Sequence, residues 1–281
     1  MGILQSLTSR FTREPKVSIS EVRSSYNEVI EKIQGLGVPA AGGFETTGRS
    51  NCFLGGAPWL PPDLNWPNSS GKDCEFIAQI DLSEVPQFSS EVGLPESGII
   101  FFFVDFACLE NSIGPTAVLI YYPGPTDSFI ETSKPTNSIV DSTHTFVQLK
   151  QITSIPSKDS FACKDIPVQE LVNRNWHELF PSQSDSMIQL LGYPDPIQGD
   201  NMDRDAQLMY IGIDPYSSEG SFIQANSVED GRHDWILLAQ ICGFDEIGCI
   251  WGDCGEAYFW IRKADLLNRD FSRVQLICQS C

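Results

Sequence analysis

The fold is indicated first by the segment EFIAQID at residues 75–81, which is apolar between its acidic ends except for one central glutamine. Successive residues of a strand point to opposite faces, so Gln79 and Asp81 are predicted to share the face opposite Ala78. A similar segment, WILLAQI at residues 235–241, is apolar on both faces. We therefore expect both segments to be strands of a large sheet, with a buried amide in the second.

Other segments of the chain predict more strands and two helices. Runs of apolar and β-branched residues bounded by turn residues predict strands at residues 98–104, 116–122, 143–155, 207–214, 257–261 and 272–278. Helices are predicted at residues 18–34, which begin with a capping box of Ser18 and Glu21, and at residues 166–180. Strands in runs with few helices predict an α+β fold of mostly antiparallel sheets with a few peripheral helices.

A short pattern occurs twice along the chain. It consists of a Leu-Gly dipeptide near a proline, an Ala-Gln-Ile strand, and a glycine four residues before a phenylalanine; it begins at Leu54 and again at Leu191. Internal duplication would explain it, and chance similarity of short apolar strings is the alternative. The expected organisation is an N-terminal tail at 1–17 and one globular domain at 18–281, with possible pseudo-repeat halves at 36–122 and 182–281.

Composition and charge limit the classes of partner. The chain has 281 residues, of which 41% are hydrophobic, and its formal charge is −19. An excess of acidic residues repels phosphate backbones, so nucleic acid is not an expected partner. No apolar run approaches the roughly 20 residues of a membrane helix, and no signal-peptide pattern is seen. We expect a cytoplasmic protein without membrane partners, although Met1 and Gly2 begin a minimal lipidation pattern.

The cysteines and acidic residues do not form a complete metal motif. Nine scattered cysteines indicate free thiols in a reducing compartment. Structural zinc is the alternative, and it would use Cys249, Cys254, Cys278 and Cys281. The acidic segment from Asp195 to Asp205 lacks the glycine and distal glutamate of a calcium loop. We therefore predict no metal and no cofactor.

Catalytic motifs are also absent from the sequence. None of the three histidines lies in a metalloprotease or nucleophile-elbow motif, and no phosphate-binding glycine loop is present. No catalytic residue is predicted. An enzyme using Asp195, Asp253 or a Cys/His pair remains the alternative to a binding protein.

The candidate binding residues come from stretches rich in glycine, proline and aromatic side chains. We expect segments 54–67 and 191–200 to come together on one side of the sheet core, with Gln79 and Gln240 hydrogen-bonded to their backbones. Rigid aromatic surfaces favour a groove for a protein or peptide partner. The predicted binding residues are Gly55, Gly56, Pro58, Trp59, Trp66, Gln79, Asp81, Tyr193, Asp195, Gln240 and Asp253.

These motifs together resemble a known family. They are FLGGAP at residues 53–58, FIAQIDL at 76–82, LLGYPDPIQ at 190–198, LAQI at 238–241 and GDCG at 252–255. In this order they resemble the YwqG-like family, a bacterial group of uncharacterised function. The resemblance implies an α+β fold and no catalytic residues, and the genomic setting of some members suggests immunity-type partners of toxins. Relatives often have Phe-Gly-Gly where this chain has an additional Leu54, and the cysteines are not part of the family pattern, which weighs against zinc.

Overall fold

The computed structural model describes residues 17–69, 71–88, 92–106, 115–136, 138–140, 142–181, 186–218, 220, 226–243 and 255–280. Its helices are α1 (Ile19–Ser25), α2 (Asn27–Gln34), α3 (Glu170–Arg174), α4 (Trp176–Leu179), α5 (Met202–Tyr210), α6 (Asn226–Arg232) and α7 (Lys263–Leu267). Its strands are β1 (Val38–Glu45), β2 (Phe53–Leu54), β3 (Trp59–Leu60), β4 (Asn68–Ser69), β5 (Lys72–Asp73), β6 (Glu75–Asp81), β7 (Ile99–Asp105), β8 (Thr116–Tyr122), β9 (Ile130–Glu131), β10 (Thr145–Ser154), β11 (Ile188–Leu190), β12 (Trp235–Cys242), β13 (Glu256–Arg262) and β14 (Gln275–Gln279).

Ten of these strands form one antiparallel sheet. Their order is β14-β13-β12-β11-β1-β10-β2-β6-β7-β8, so β1 and β10 lie at the centre. The two central strands pair from Val38 opposite Ser154 to Glu45 opposite Val147. The edge strands β8 and β14 contact each other, and the sheet is therefore nearly closed. The predicted α+β class with mostly antiparallel sheets is confirmed.

The main hydrophobic core joins the two sides of the sheet. Leu54, Ala78 and Phe102 on one side belong to the same buried cluster as Leu238 and Phe259 on the other. The rings of Phe102 and Phe259 meet edge to face, with centroids 5.1 Å apart. Burial of large aromatic side chains is a dominant favourable term in folding, so this contact helps to hold the sheet in its curled shape.

A smaller helical layer packs on its own hydrophobic cluster. The cluster includes Val22, Ile30 and Ile33 from α1 and α2, and Val172 and Trp176 from α3 and α4. The predicted capping box at the start of α1 is confirmed. The single helices predicted at residues 18–34 and 166–180 are wrong, because each region is divided into two short helices. No helix in the described part of the chain is both long and apolar enough to cross a membrane.

Two assignments in the sheet also differ from expectation. The strand predicted at residues 207–214 is wrong, because residues 207–210 belong to helix α5 and residues 211–214 are in no strand. The buried Met202 and Ala206 of α5 pack in one cluster with Trp235. Strand β1 was not predicted. Its central Ala-Ala-Gly-Gly has weak strand propensity, and it is held by pairing with β10 and β11 on either side.

Candidate functional site

Two loops of similar geometry follow strands β2 and β11, and we call residues 55–67 the first loop and residues 191–200 the second loop. Each begins with two consecutive residues of positive φ, which are Gly55 and Gly56 in the first loop and Leu191 and Gly192 in the second. A Cβ atom on Gly56 would lie 2.4 Å from the His144 ring. Only glycine therefore fits this bend without displacing its neighbour.

A buried glutamine fixes each loop at the equivalent position. The Trp59 N–H donates to Gln79 Oε1 at 3.0 Å, and the Asp195 N–H donates to Gln240 Oε1 at 2.9 Å. Gln79 is 1% exposed and Gln240 is 6% exposed. The prediction that these two amides are hydrogen-bonded to the loop backbones is confirmed.

The two loops lie at opposite ends of the sheet centre, so the expectation that they come together is wrong. Leu54 pairs with Thr145 at the start of β10. Leu190 pairs with Ala41 of β1, and Ala41 pairs in turn with Gln151 near the end of β10. Three antiparallel pairings separate β2 from β11 and reverse the direction of the chain. Thr145 and Gln151 are six residues apart, so at about 3.3 Å per strand residue the loops leave the sheet about 20 Å apart along the direction of β10. The candidate residues therefore belong to two clefts.

Most candidate residues of the first loop and the neighbouring strand make contacts within the protein. Pro58 is buried, and its carbonyl oxygen accepts the Thr132 N–H at 2.9 Å. Trp66 donates its indole N–H to the Cys74 carbonyl oxygen at 2.8 Å, and its ring packs edge to face on Phe103. Trp66 thus anchors a turn to the core.

Asp81 is buried at the end of β6. It accepts hydrogen bonds from the Ser83 N–H at 3.0 Å and from Asn51 Nδ2 at 3.1 Å. These bonds cap the 3-10 helix Leu82–Glu84 and tie it to the chain before β2. The carboxylate is therefore used inside the fold.

Trp59 remains at the surface of the first loop. It lines a cleft of about 320 Å³, the Trp59 cleft, together with Arg49, Asn51, Gln79, Ile99, Thr126, Phe129 and Glu131. The indole ring packs on Phe53, with centroids 4.8 Å apart, and the Arg49 guanidinium carbon lies 4.6 Å from its centroid. An aromatic face with a cation stacked on it is thus presented at this cleft.

The second loop forms one wall of a larger cleft, the Tyr193 cleft, of about 390 Å³. Its other walls come from the end of β10 with residues 155–159 and from α4 with Phe180 and Pro181. Tyr193 is half-buried and Asp195 is exposed. Two predicted binding residues, with Pro194 and Pro196, thus lie on one concave surface.

Polar side chains hold the second loop from below. The N–H groups of Ile197 and Gln198 both donate to Gln279 Oε1, at 2.8 and 2.9 Å, and Gln279 Nε2 donates to the Gly199 carbonyl oxygen. Gln189 Nε2 donates to the Tyr193 carbonyl oxygen at 2.8 Å. The sequence analysis did not predict a role for Gln189 or Gln279. Gln279 ends a largely apolar strand, and Gln240 was predicted to be buried from a similar pattern.

A half-buried carboxyl group, that of Glu256, lies beneath the loop. Glu256 accepts a hydrogen bond from Gln240 Nε2, and its Oε2 lies 3.1 Å from the Tyr258 hydroxyl oxygen. That hydroxyl also donates to the Asp195 carbonyl oxygen at 2.7 Å. Burial raises the pKa of Glu256. The Tyr258 hydroxyl carries one proton, so it can donate either to the Asp195 carbonyl oxygen of the loop or to Glu256.

Asp200 ends the second loop in a buried position. It accepts a hydrogen bond from the Ser157 hydroxyl at 2.8 Å and is 8% exposed. Burial raises the pKa of Asp200 to about 6, and the neighbouring Asp203 carboxylate also raises it. The protonation of Asp200 is thus linked to folding between about pH 4 and pH 6.

Some residues predicted for ligand binding, catalysis, zinc binding or lipidation lie outside the described ranges. Asp253, Cys249, Cys254, Cys281 and Gly2 all lie outside them. Within those ranges, no group of three or more His, Cys, Asp and Glu side chains is arranged to hold a metal ion.

The described cysteines and histidines do not form a nucleophile pair. The His144 ring nitrogen contacts the Ala57 carbonyl oxygen at 2.7 Å, and His233 packs against Phe161. Burial raises the pKa of the Cys74 thiol to about 11 and that of Cys278 to about 12. These thiols are therefore poor nucleophiles at neutral pH.

Comparison with known proteins identifies the family. No curated protein matches the sequence. A family model described as "Domain of unknown function (DUF1963)" matches residues 52–281, which include both loops and every strand of the large sheet except β1. The narrower resemblance to YwqG-like proteins stays a prediction. Because the match covers most of its length, the chain belongs to the DUF1963 family of domains of unknown function.

Proposed function

We propose that this protein is a binding module whose Tyr193 cleft holds an extended peptide segment of a partner protein. The observation that supports this proposal is the inward hydrogen bonding of the second loop. Gln189, Gln240 and Gln279 hold its backbone from the sheet side. A wall that is ordered before binding loses little conformational entropy when a ligand arrives.

The wall chemistry suits a peptide with apolar or proline side chains. Tyr193 and Pro196 are half-buried on the cleft wall, and the buried side chains of Trp176, Phe180 and Pro194 border the same cleft. Rings and prolines have few rotatable bonds, which is why aromatic-lined grooves recognise extended peptides. The volume of about 390 Å³ is within the usual range for ligand sites.

Polar groups in the same cleft would fix the direction of such a peptide. Lys158, Asp159 and His177 line its rim, and Ser157 and Gln189 line its walls. The formal charge of −19 favours a neutral or basic partner segment. An immunity-type role towards a toxin would be one form of this binding.

The test is a selection of displayed peptides on the wild-type protein, followed by calorimetric titration of the enriched peptides. Tyr193→Ala should weaken binding about tenfold or more, as truncation of an aromatic anchor does. Trp59→Ala is the matched control, because it removes an aromatic side chain at the opposite end of β10. Equal affinities for wild type and Tyr193→Ala, or no enrichment of peptides, would contradict the proposal.

A further inference from the structure

We infer that the Trp59 cleft is a second ligand site, which takes a small molecule bearing a carboxylate or phosphate group through the guanidinium of Arg49. This site does not depend on the proposed peptide binding, because the two clefts lie at opposite ends of β10.

The exposed Arg49 guanidinium stacks on the Trp59 ring. Its carbon lies 4.6 Å from the Trp59 ring centroid, and Trp59 is itself packed on Phe53 and His144. The Trp59 backbone N–H is bonded to Gln79, whose own Nε2 donates to the Asn51 carbonyl oxygen at 3.2 Å. A planar cation stacked on an anchored indole presents its N–H groups along the plane of the ring.

Hydrogen-bond donors at this cleft have no acceptor within the described residues. Neither Arg49 nor the Trp59 indole N–H makes a hydrogen bond there, and Arg49 forms no salt bridge with the described carboxylates, including Glu131 on the same cleft wall. Such donors form hydrogen bonds either with water or with a ligand. A ligand with two adjacent anionic oxygens matches the guanidinium best, since it can accept two parallel hydrogen bonds.

The rest of the cleft limits the size and charge of the ligand. Ile99 and Phe129 supply apolar wall beside Trp59, and the volume is about 320 Å³. Glu131 and the acidic protein as a whole repel polyanions. The cleft therefore suits a small organic acid or phosphate ester, and it disfavours nucleic acid.

The test is an NMR titration of the full chain that follows the indole N–H resonances, with Trp59→Phe used to assign the Trp59 signal. Succinate and inorganic phosphate are the probes, and sodium chloride is the control for ionic strength. The Trp59 resonance should shift saturably with succinate, phosphate or both, and the stronger of the two probes identifies the preferred class of oxyanion.

Arg49→Gln should weaken this binding about tenfold or more, because it removes a charged hydrogen-bond donor. Lys150→Gln is the matched control: Lys150 is an exposed cation that lies over the Phe44 ring, and its loss changes the net charge equally. Unchanged positions of the other indole resonances would verify that Arg49→Gln is folded. The inference is overturned by a wild-type titration without a saturable shift, by an equal response to chloride, or by equal weakening in both variants.

Discussion

Replacing Gln240 with leucine keeps the side-chain volume nearly constant while removing both polar ends of the amide. In the wild type, Gln240 Oε1 accepts the Asp195 N–H at 2.9 Å, and Nε2 donates to Glu256. The residue is only 6% exposed, so water does not readily replace these partners. An abandoned buried polar group costs about 1–3 kcal/mol. Because Glu256 keeps its contact with Tyr258, we expect a total loss of about 2–4 kcal/mol of unfolding free energy.

Urea denaturation of wild type and Gln240→Leu measures this loss directly. Gln198→Leu is the matched control, because the same substitution is then made at an exposed glutamine of the second loop. We expect the control to change stability by less than about 0.5 kcal/mol. If Gln240→Leu costs no more than Gln198→Leu, the assignment of Gln240 as the buried anchor of the loop is refuted.

Three further predictions test other features of the structure. The pKa of Asp200 is raised to about 6, so between pH 4 and pH 6 the folded state holds a proton that the unfolded chain releases. The free energy of unfolding of the wild type, relative to that of Asp200→Asn, should therefore fall by up to about 3 kcal/mol from pH 4 to pH 7, as measured by denaturation at each pH. Gly56→Ala should destabilise the fold by about 1–3 kcal/mol more than Gly71→Ala, since both glycines have positive φ but only Gly56 has a close neighbour. Equal losses of stability in thermal melts of the two variants would contradict this prediction. Cys74 is 2% exposed and should be alkylated at pH 8 only after unfolding, and peptide mass spectrometry that finds fast native labelling would disprove its burial.

Gln240 could be recognised as buried from the sequence because its strand is apolar on both faces. This pattern leaves Gln240 no solvent-exposed side, and a buried amide requires partners. The same signal was present for Gln279, at the end of the segment QLICQ. The identity of its partners could not be predicted, since they come from a loop about 80 residues away in sequence.

Strand faces were less predictable because two bulges break the alternation. The register shifts between Phe76 and Ala78 in β6, and between Leu237 and Ala239 in β12. Phe76 consequently packs in the Phe53 cluster and not with Ala78, although alternation predicts one common face. A bulge adds one residue to a strand and has no signal in the composition of these segments.

The separation of the two loops could not be derived without β1. The pairing of β1 with β10 at the centre of the sheet sets the number of antiparallel steps between β2 and β11. The Ala-Ala-Gly-Gly sequence of β1 does not predict a strand, and its partner β10 lies about 100 residues later. Local propensities therefore predicted the elements around the candidate site better than their arrangement.

The most direct measurement of the proposed peptide binding is photo-crosslinking in cells that express the full chain, with benzoylphenylalanine in place of Tyr193. Tyr216 is the control position, because it is a tyrosine with 69% of its surface exposed and does not line the Tyr193 cleft. Peptide mass spectrometry should find a single extended partner segment joined at position 193 and absent from the products of position 216. The same products at both positions, or no protein product at position 193, would contradict the assignment of this cleft as the binding site.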